Sequence, residues 1–478
     1  MNNFNLLENI ETLIKAGDQI KARAALLAIK PTEVSPVDLV YFCSLLRRTR
    51  LSVEVIKILQ PLVYPKARSA TIATTEEKLE YASNLVRLGA LSEAEKILNS
   101  IDAHKYPQVL IRLGFLVISS WDYEKANVYF KQYIDHPQAE RYSVLVAKVN
   151  HLQGLVYLGQ LDDAWALAQE LLRELNPVQN RFLLGGVCEF SAEIFRQKKD
   201  VERALQFITR GKELFANSQS TDEFLLRKQE QIILGKVQGL KNIREEAIER
   251  SHYESVRDID FHIALIEKNE KLLNEVYWKT KSKAYKQRIL DHAQKSKMTI
   301  KPDLFQLSKN KGIVFDLQSH RLTGSLAALK KDQALARLLS ALLVEGYSPV
   351  QIFDLFAAVY PDEIFFPESS ADKIHQLLKR LRQFIQKARL PLEIICKNEN
   401  YFVKANGHFS LSGQAPYQSD WEAQLHDMFQ GRYFSVSDAQ KLWKTSERTT
   451  LRRLCELKNN NRVQTHGKTR ARKFRFCT

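Results

Sequence analysis

The chain has 478 residues, 45% hydrophobic and 26% charged, which excludes a disordered chain and, at that length, a single compact core. Its 71 Lys and Arg exceed its 55 Asp and Glu, for a formal charge of +16, and so favour an anionic partner over an acid-seeking one. The excess is concentrated at the end: residues 434–478 hold 12 Lys and Arg against 3 acids.

The first stretch, MNNFNLLENIETLIKAGDQ, lacks a basic region followed by an apolar core. No later run approaches the roughly 18 apolar residues of a membrane span, so no membrane partner and a cytoplasmic location are expected. A turn residue followed five positions later by Ala then recurs along the chain. It stands at Gly17 and Ala22, Gly89 and Ala94, Trp121 and Ala126, Gly159 and Ala164, and Lys199 and Ala204, with a degenerate copy over Thr49–Glu54. The spacing, between 32 and 40 residues, suits two-helix units in which a turn ends one helix and a small residue lets the next pack closely.

The copies LGALSEA, SWDYEKA and LGQLDDA resemble the turn of the tetratricopeptide repeat (TPR), over roughly residues 5–220. That resemblance implies an α-solenoid over residues 1–250 with a groove for a regulatory protein or peptide. Residues 251–305 are helix-favouring and are expected to form a helical cap or connector, ending the solenoid or extending it as one long helix.

From Gly312 onward the helical period gives way to short alternating runs. Strands are expected over Ile313–Leu317, Arg321–Thr323 and Ser325–Leu329. A helix then starts near Asp332 and stops at Gly346. A second starts with Ser348 as N-cap and Pro349 in its first turn, and ends at Pro361. In SSADKIHQLLKRLRQFIQKARLPLEIICKNENYFV, a helix over 372–387 places Ile374, Leu377, Leu378, Leu381, Phe384 and Ile385 on one apolar stripe. The other side carries Lys373, His375, Gln376, Lys379, Arg380, Arg382, Gln383 and Lys387, and a hairpin follows whose turn is Lys397–Asn400.

This order of elements, with Arg380, Leu381 and Arg382 in the third helix, resembles the OmpR/PhoB-type winged-helix domain of bacterial response regulators over about 311–405. The resemblance implies that the third helix enters the major groove of double-stranded DNA, and that Lys397 and Tyr401 belong to a wing against the backbone. The wing carries Glu399 where that family has glycine.

Residues 406–420, rich in Gly, Ser and Pro, are expected to be a linker to a last domain over 421–478. There a helix after Ser437, a turn over Trp443–Thr445 and a helix after Ser446 form a helix-turn-helix. Leu451, Leu454 and Leu457 are expected inward and Arg448, Thr449, Arg452 and Arg453 outward. The tail is expected to form a hairpin turning at Gly467, with Lys468, Arg470 and Arg472 along it for phosphate contact. This part resembles a generic winged helix.

The expected fold is therefore mainly α, an α-solenoid followed by two winged helix-turn-helix domains. No P-loop, no strand-linked G-x-G-x-x-G and no cysteine or histidine pattern of a metal site is present in the sequence. Cys43, Cys188, Cys396, Cys455 and Cys477 are dispersed, as reduced thiols of a cytoplasmic protein would be. No catalysis, cofactor or metal is expected. The reading is a DNA-binding transcription regulator, with an interaction scaffold, or an RNA-binding protein, as the alternative.

Overall fold

The structure is a computed structural model that describes residues 3–16, 18–65, 72–216, 221–301, 304–306, 312–317, 319–325, 329, 333–361, 363–367, 369–397, 400–413, 425, 428–429, 432–443, 445–459, 463–466 and 473–476. The chain divides into two compact units, residues 1–413 and 414–478.

In the first unit, helices pair across tight turns: α1 (Asn3–Ala16) with α2 (Gln19–Ala28), α3 (Leu39–Arg48) with α4 (Ser52–Val63), and α5 (Thr75–Arg87) with α6 (Leu91–Asn99). The series continues with α7 (Gln108–Ile118) and α8 (Tyr123–Ile134), α9 (Arg141–Tyr157) and α10 (Leu161–Glu174), and α11 (Arg181–Gln197) and α12 (Val201–Leu214). It runs on through α13 (Thr221–Ile233) and α14 (Val237–Glu249), α15 (Tyr253–Ile266) and α16 (Glu270–Trp278), to α17 (Lys283–Lys295). This is a TPR-like helical repeat. Residues 221–295 add further hairpins, where one long helix was an expected alternative, because Gly235 and Lys268 supply the same left-handed turn as the earlier copies.

Local chemistry sets those turns. The reversing residue has positive φ at Arg50 (63°), Gly89 (81°), Trp121 (64°), Gly159 (75°) and Lys199 (62°). At three of the turns the next residue caps the second helix: Asp122 accepts from Lys125 N, Asp200 from Arg203 N and Asn269 from Leu272 N. In the degenerate copy the reversal falls on Arg50, not Thr49, whose hydroxyl is buried against the Leu45 and Leu46 carbonyls. Ala94, Ala126, Ala164 and Ala204 are fully buried, as close helix packing requires.

The odd-numbered helices form one layer, α3 beside α5 beside α7, and α9 beside α11, α13 and α15. Within it α15 is enclosed, with every residue from Ser255 to Ala264 buried. Its charges are paired: Asp258 accepts from Lys228 at 3.0 Å and from Arg288 at 3.1 Å, and Asp260 from Arg244 at 2.6 Å. Tyr285 of α17 meets Trp121 edge-on at 4.4 Å between centroids, so the end of the repeat reaches back to the α7–α8 turn.

The remainder of this unit is built from β1 (Leu304–Gln306), β2 (Ile313–Asp316), β3 (Leu322–Thr323), α18 (Gln333–Val344), β4 (Val350–Gln351) and α19 (Ile352–Val359). It ends with α20 (Ser370–Lys387), β5 (Leu392–Lys397), β6 (Asn400–Ala405) and β7 (Phe409–Ser412). One sheet has the order β1-β7-β2-β3 and the other β4-β6-β5. Three expectations are corrected. Residues 409–412, expected in a linker, form β7, whose Phe409 and Leu411 are buried between β1 and β2. Leu304–Gln306, at the edge of the expected helical connector, is a strand, with Phe305 stacked on Trp278. Ser348 and Pro349 do not open α19: Val350 pairs with Tyr401 in the sheet, and Gln351 caps the helix with Asp354. Most of the strand expected over Ser325–Leu329 lies outside the described residues.

The second unit contains β8 (Phe434–Ser435), α21 (Val436–Trp443), α22 (Glu447–Asn459), β9 (Val463–His466) and β10 (Lys473–Phe476), its sheet ordered β8-β10-β9. Phe434, Trp443, Leu454, Leu457 and Phe474 meet in its core. α21 begins before the expected Ser437, because Ser435 and Asp438 cap it reciprocally.

Candidate nucleic-acid interface

α20 is held by one face. Ile374, Leu377, Leu378, Leu381 and Ile385 are buried, Phe384 is half-buried, and α18, α19 and β5 pack around the helix. Burying one Leu or Ile of such a stripe contributes about 1.5–3 kcal/mol, enough for five of them to fix the helix axis. The expected polar residues, Lys373, His375, Gln376, Lys379, Arg380, Arg382, Gln383 and Lys387, are all exposed. Lys373 pairs with Glu363 at 3.0 Å and lies over the Tyr360 ring, which ties it to the preceding segment. Arg382 Nη2 donates to the Ile394 carbonyl of β5 at 3.4 Å, which angles it toward the hairpin.

The hairpin β5–β6 is antiparallel, from Leu392 opposite Ala405 to Lys397 opposite Asn400. Lys397 is exposed at its tip. Tyr401, expected to touch DNA, is only 4% exposed, because it sits between Val350 and Cys396 on the inward side of the sheet. Outward on the same hairpin are Ile395 and Phe402, directly opposite one another.

Contacts from other residues hold this region to the helical repeats. Gln60 Nε2 donates to the Phe365 carbonyl at 2.6 Å, Phe365 N donates to Glu93 at 3.4 Å, and Tyr347 Oη donates to Asp260 at 3.2 Å. Burial raises the Glu93 carboxyl above its usual range, and the Phe365 amide and the Tyr81 and Tyr64 hydroxyls oppose the rise.

In the second unit, Ser446 caps α22 through the Thr449 amide, and Arg448 and Arg452 are exposed while Thr449 is half-buried. Two assignments exchange. Arg453, expected outward, is buried with its guanidinium 5.4 Å from the Trp443 ring centre, and Leu451, expected inward, is 42% exposed. The inward row of α22 is Thr450, Arg453, Leu454 and Leu457, at spacings of three, four and seven, and Trp443 accepts the arginine on its ring face. Lys468, Arg470 and Arg472 lie outside the described residues. Missed from sequence were Lys473 and Arg475 on β10, exposed in alternation with buried Phe474 and Phe476; Arg475 also covers Tyr433. The run KFRF carries that alternation openly.

Among the described residues no cluster of three metal-ligating side chains occurs, and no helix is long and apolar enough to cross a membrane.

No protein-family model and no curated protein matches the chain. Among solved structures, it is similar to a tetratricopeptide repeat protein from Parabacteroides merdae ATCC 43184, at 17% identity and a TM-score of 0.35, over 51% of this chain and 91% of that one. With likeness that slight, the repeat fold rests on the chain's own hairpins and turns.

Proposed function

We propose that the chain is a sequence-specific, non-enzymatic DNA-binding regulator, in which residues 311–405 and 421–478 act as winged helices. α20 and α22 enter major grooves, and the helical repeat receives a regulatory protein or peptide. The observation that carries the reading is the division of α20: an apolar stripe packed on three elements, and eight exposed polar residues, five of them Lys or Arg, on the remaining surface. Arg, Lys and Gln are the side chains that read guanine and adenine edges in the major groove. Arg448 and Arg452 supply a second such surface, with Lys473 and Arg475 suited to phosphate.

The test is selection of bound fragments from genomic DNA by the full chain, repeated with Lys379 and Arg380 both changed to Gln. The reading requires an enriched motif that the double variant loses. Enrichment of the same motif by the variant would remove α20 from the interface.

A second reading, an adaptor whose hairpin binds protein, is favoured by the exposed Ile395–Phe402 pair. It predicts no enriched motif in that selection.

A further inference from the structure

α14, α15 and α16 of the helical repeat, with the Gly346–Tyr347 turn between α18 and β4, line an open cleft of about 560 Å³. Small-molecule sites run from roughly 300 to 1,000 Å³ and favour the junctions between folded parts. Two contacts join the sides of this one: Tyr347 Oη donates to Asp260 at 3.2 Å, and Gly346 N donates to the Lys279 carbonyl at 3.0 Å. The cleft therefore lies where the segment that carries α20 meets the repeat.

Helical spacing makes its floor. Val256, Asp260 and Ile263 follow one another at four and three residues, so all three stand on one face of α15, and all are buried. Arg244 of α14 covers the carboxylate, with Nε at 2.6 Å and Nη2 at 3.0 Å. Leu272 of α16, half-buried, and Ile248 of α14, 45% exposed, carry the apolar surface up the walls.

Charge around the cleft is balanced. Lys241 lies 3.8 Å from Glu267, Arg244 2.6 Å from Asp260 and Lys279 3.3 Å from Glu275, so each cation already has its anion. An ion entering would break one of these pairs or stand beside a like charge, and an uncharged molecule does neither. The groups left over are donors. Arg244 Nη1, the Tyr253 hydroxyl and Asn269 Nδ2 make no hydrogen bond among the described residues, the Asn269 oxygen being taken by the Leu272 amide. Each can donate to an oxygen of a bound molecule.

We propose that this cleft binds an uncharged small molecule whose apolar body carries carbonyl or ether oxygens, and that its occupant clamps the Gly346–Tyr347 turn to the helical repeat. The site is independent of the DNA-binding reading, since its lining includes no residue of α20 or α22.

Fluorescence titration of the full chain with Nile red, an uncharged dye with a fused-ring body and a carbonyl oxygen, tests it. Nile red saturates one site with a blue-shifted emission and binds more tightly than the anionic anilinonaphthalene sulfonate. Ile248→Glu puts a charge on the wall of the cleft and weakens Nile red about tenfold or more. Val201→Glu, at an apolar position of α12 that is 47% exposed and outside the cleft, leaves it unchanged. Amide hydrogen exchange of the full chain is slower at residues 346–351 with the dye bound, because the occupant touches both sides of the junction. No saturable binding, tighter binding of the sulfonate, or equal losses from the two substitutions would overturn the site. Saturable binding with unchanged exchange at 346–351 would overturn the clamp.

Discussion

Gln60 of α4 donates its amide to the carbonyl of Phe365, 2.6 Å away and 305 residues along the chain. Both groups are buried, so the bond links the second helical hairpin to the segment that leads into α20. Gln60→Leu leaves that carbonyl without its partner and is expected to cost roughly 1–3 kcal/mol. Urea unfolding of the full chain measures the loss, and faster amide exchange at 365–370 in the variant locates it. Unchanged exchange there would show that the contact does not hold the segment.

Gly89 makes a second tie. Its φ is +81°, and a Cβ placed on it would lie 2.0 Å from Asp354 Oδ1 of α19. Gly89→Ala therefore meets both backbone strain and a side chain in its way, with an expected loss above the roughly 1 kcal/mol of an unobstructed glycine exchange. Gly159, at the equivalent turn with φ +75°, has nothing within 4 Å of its Cβ position and pays the strain alone. Thermal melting of both alanine variants compares them directly, and Gly89→Ala should be the less stable.

Neighbouring arginines of α22 have separate duties. Arg453→Ala removes a buried cation from the Trp443 ring and is expected to destabilise the second unit by roughly 1–2 kcal/mol. Arg452→Ala, exposed, is expected to leave melting within about 0.5 kcal/mol of the parent while weakening DNA binding. The reverse pattern would mean that the rotation of α22 is wrong.

Burial, reinforced by Asp222, Asp258 and Glu193 and opposed by Lys228, pushes the Glu189 carboxyl of α11 up to about 7. The folded chain thus holds a proton that the unfolded chain releases near the ordinary glutamate value. The resulting stabilisation is complete below that value and is lost as pH rises through about 7. Glu189→Gln keeps the shape without the charge. Urea unfolding should find the variant more stable than the parent at pH 8, on the order of 1–3 kcal/mol, and nearly equal to it at pH 4. An equal difference at both pH values would exclude ionisation as the cause.

What the sequence revealed follows the range of the physics involved. The repeat turns were legible because a left-handed residue, an Asp cap and a packed Ala act within a few positions, as at Trp121, Asp122 and Ala126. The stripe of α20 was legible because one helix carries both its faces. β7 was not, since Phe409–Ser412 gains its meaning only by pairing with Ile313–Asp316, about a hundred residues earlier. Tyr401 and Arg453 each depended on which side of their element met a partner far along the chain. Arg47 and Glu80 are ordinary charges in two separate repeats until the helices are laid side by side.

The claim that α20 lies on a duplex meets its most direct test in the salt dependence of DNA affinity. Fluorescence anisotropy with a labelled duplex, from about 50 to 300 mM salt, should give an association constant that falls linearly on logarithmic axes with a slope set by the phosphates contacted. Changing Lys379 and Lys387 to Gln should make that slope shallower by roughly one for each phosphate contact removed. An affinity that ignores salt, or a slope untouched by the two substitutions, would contradict the account.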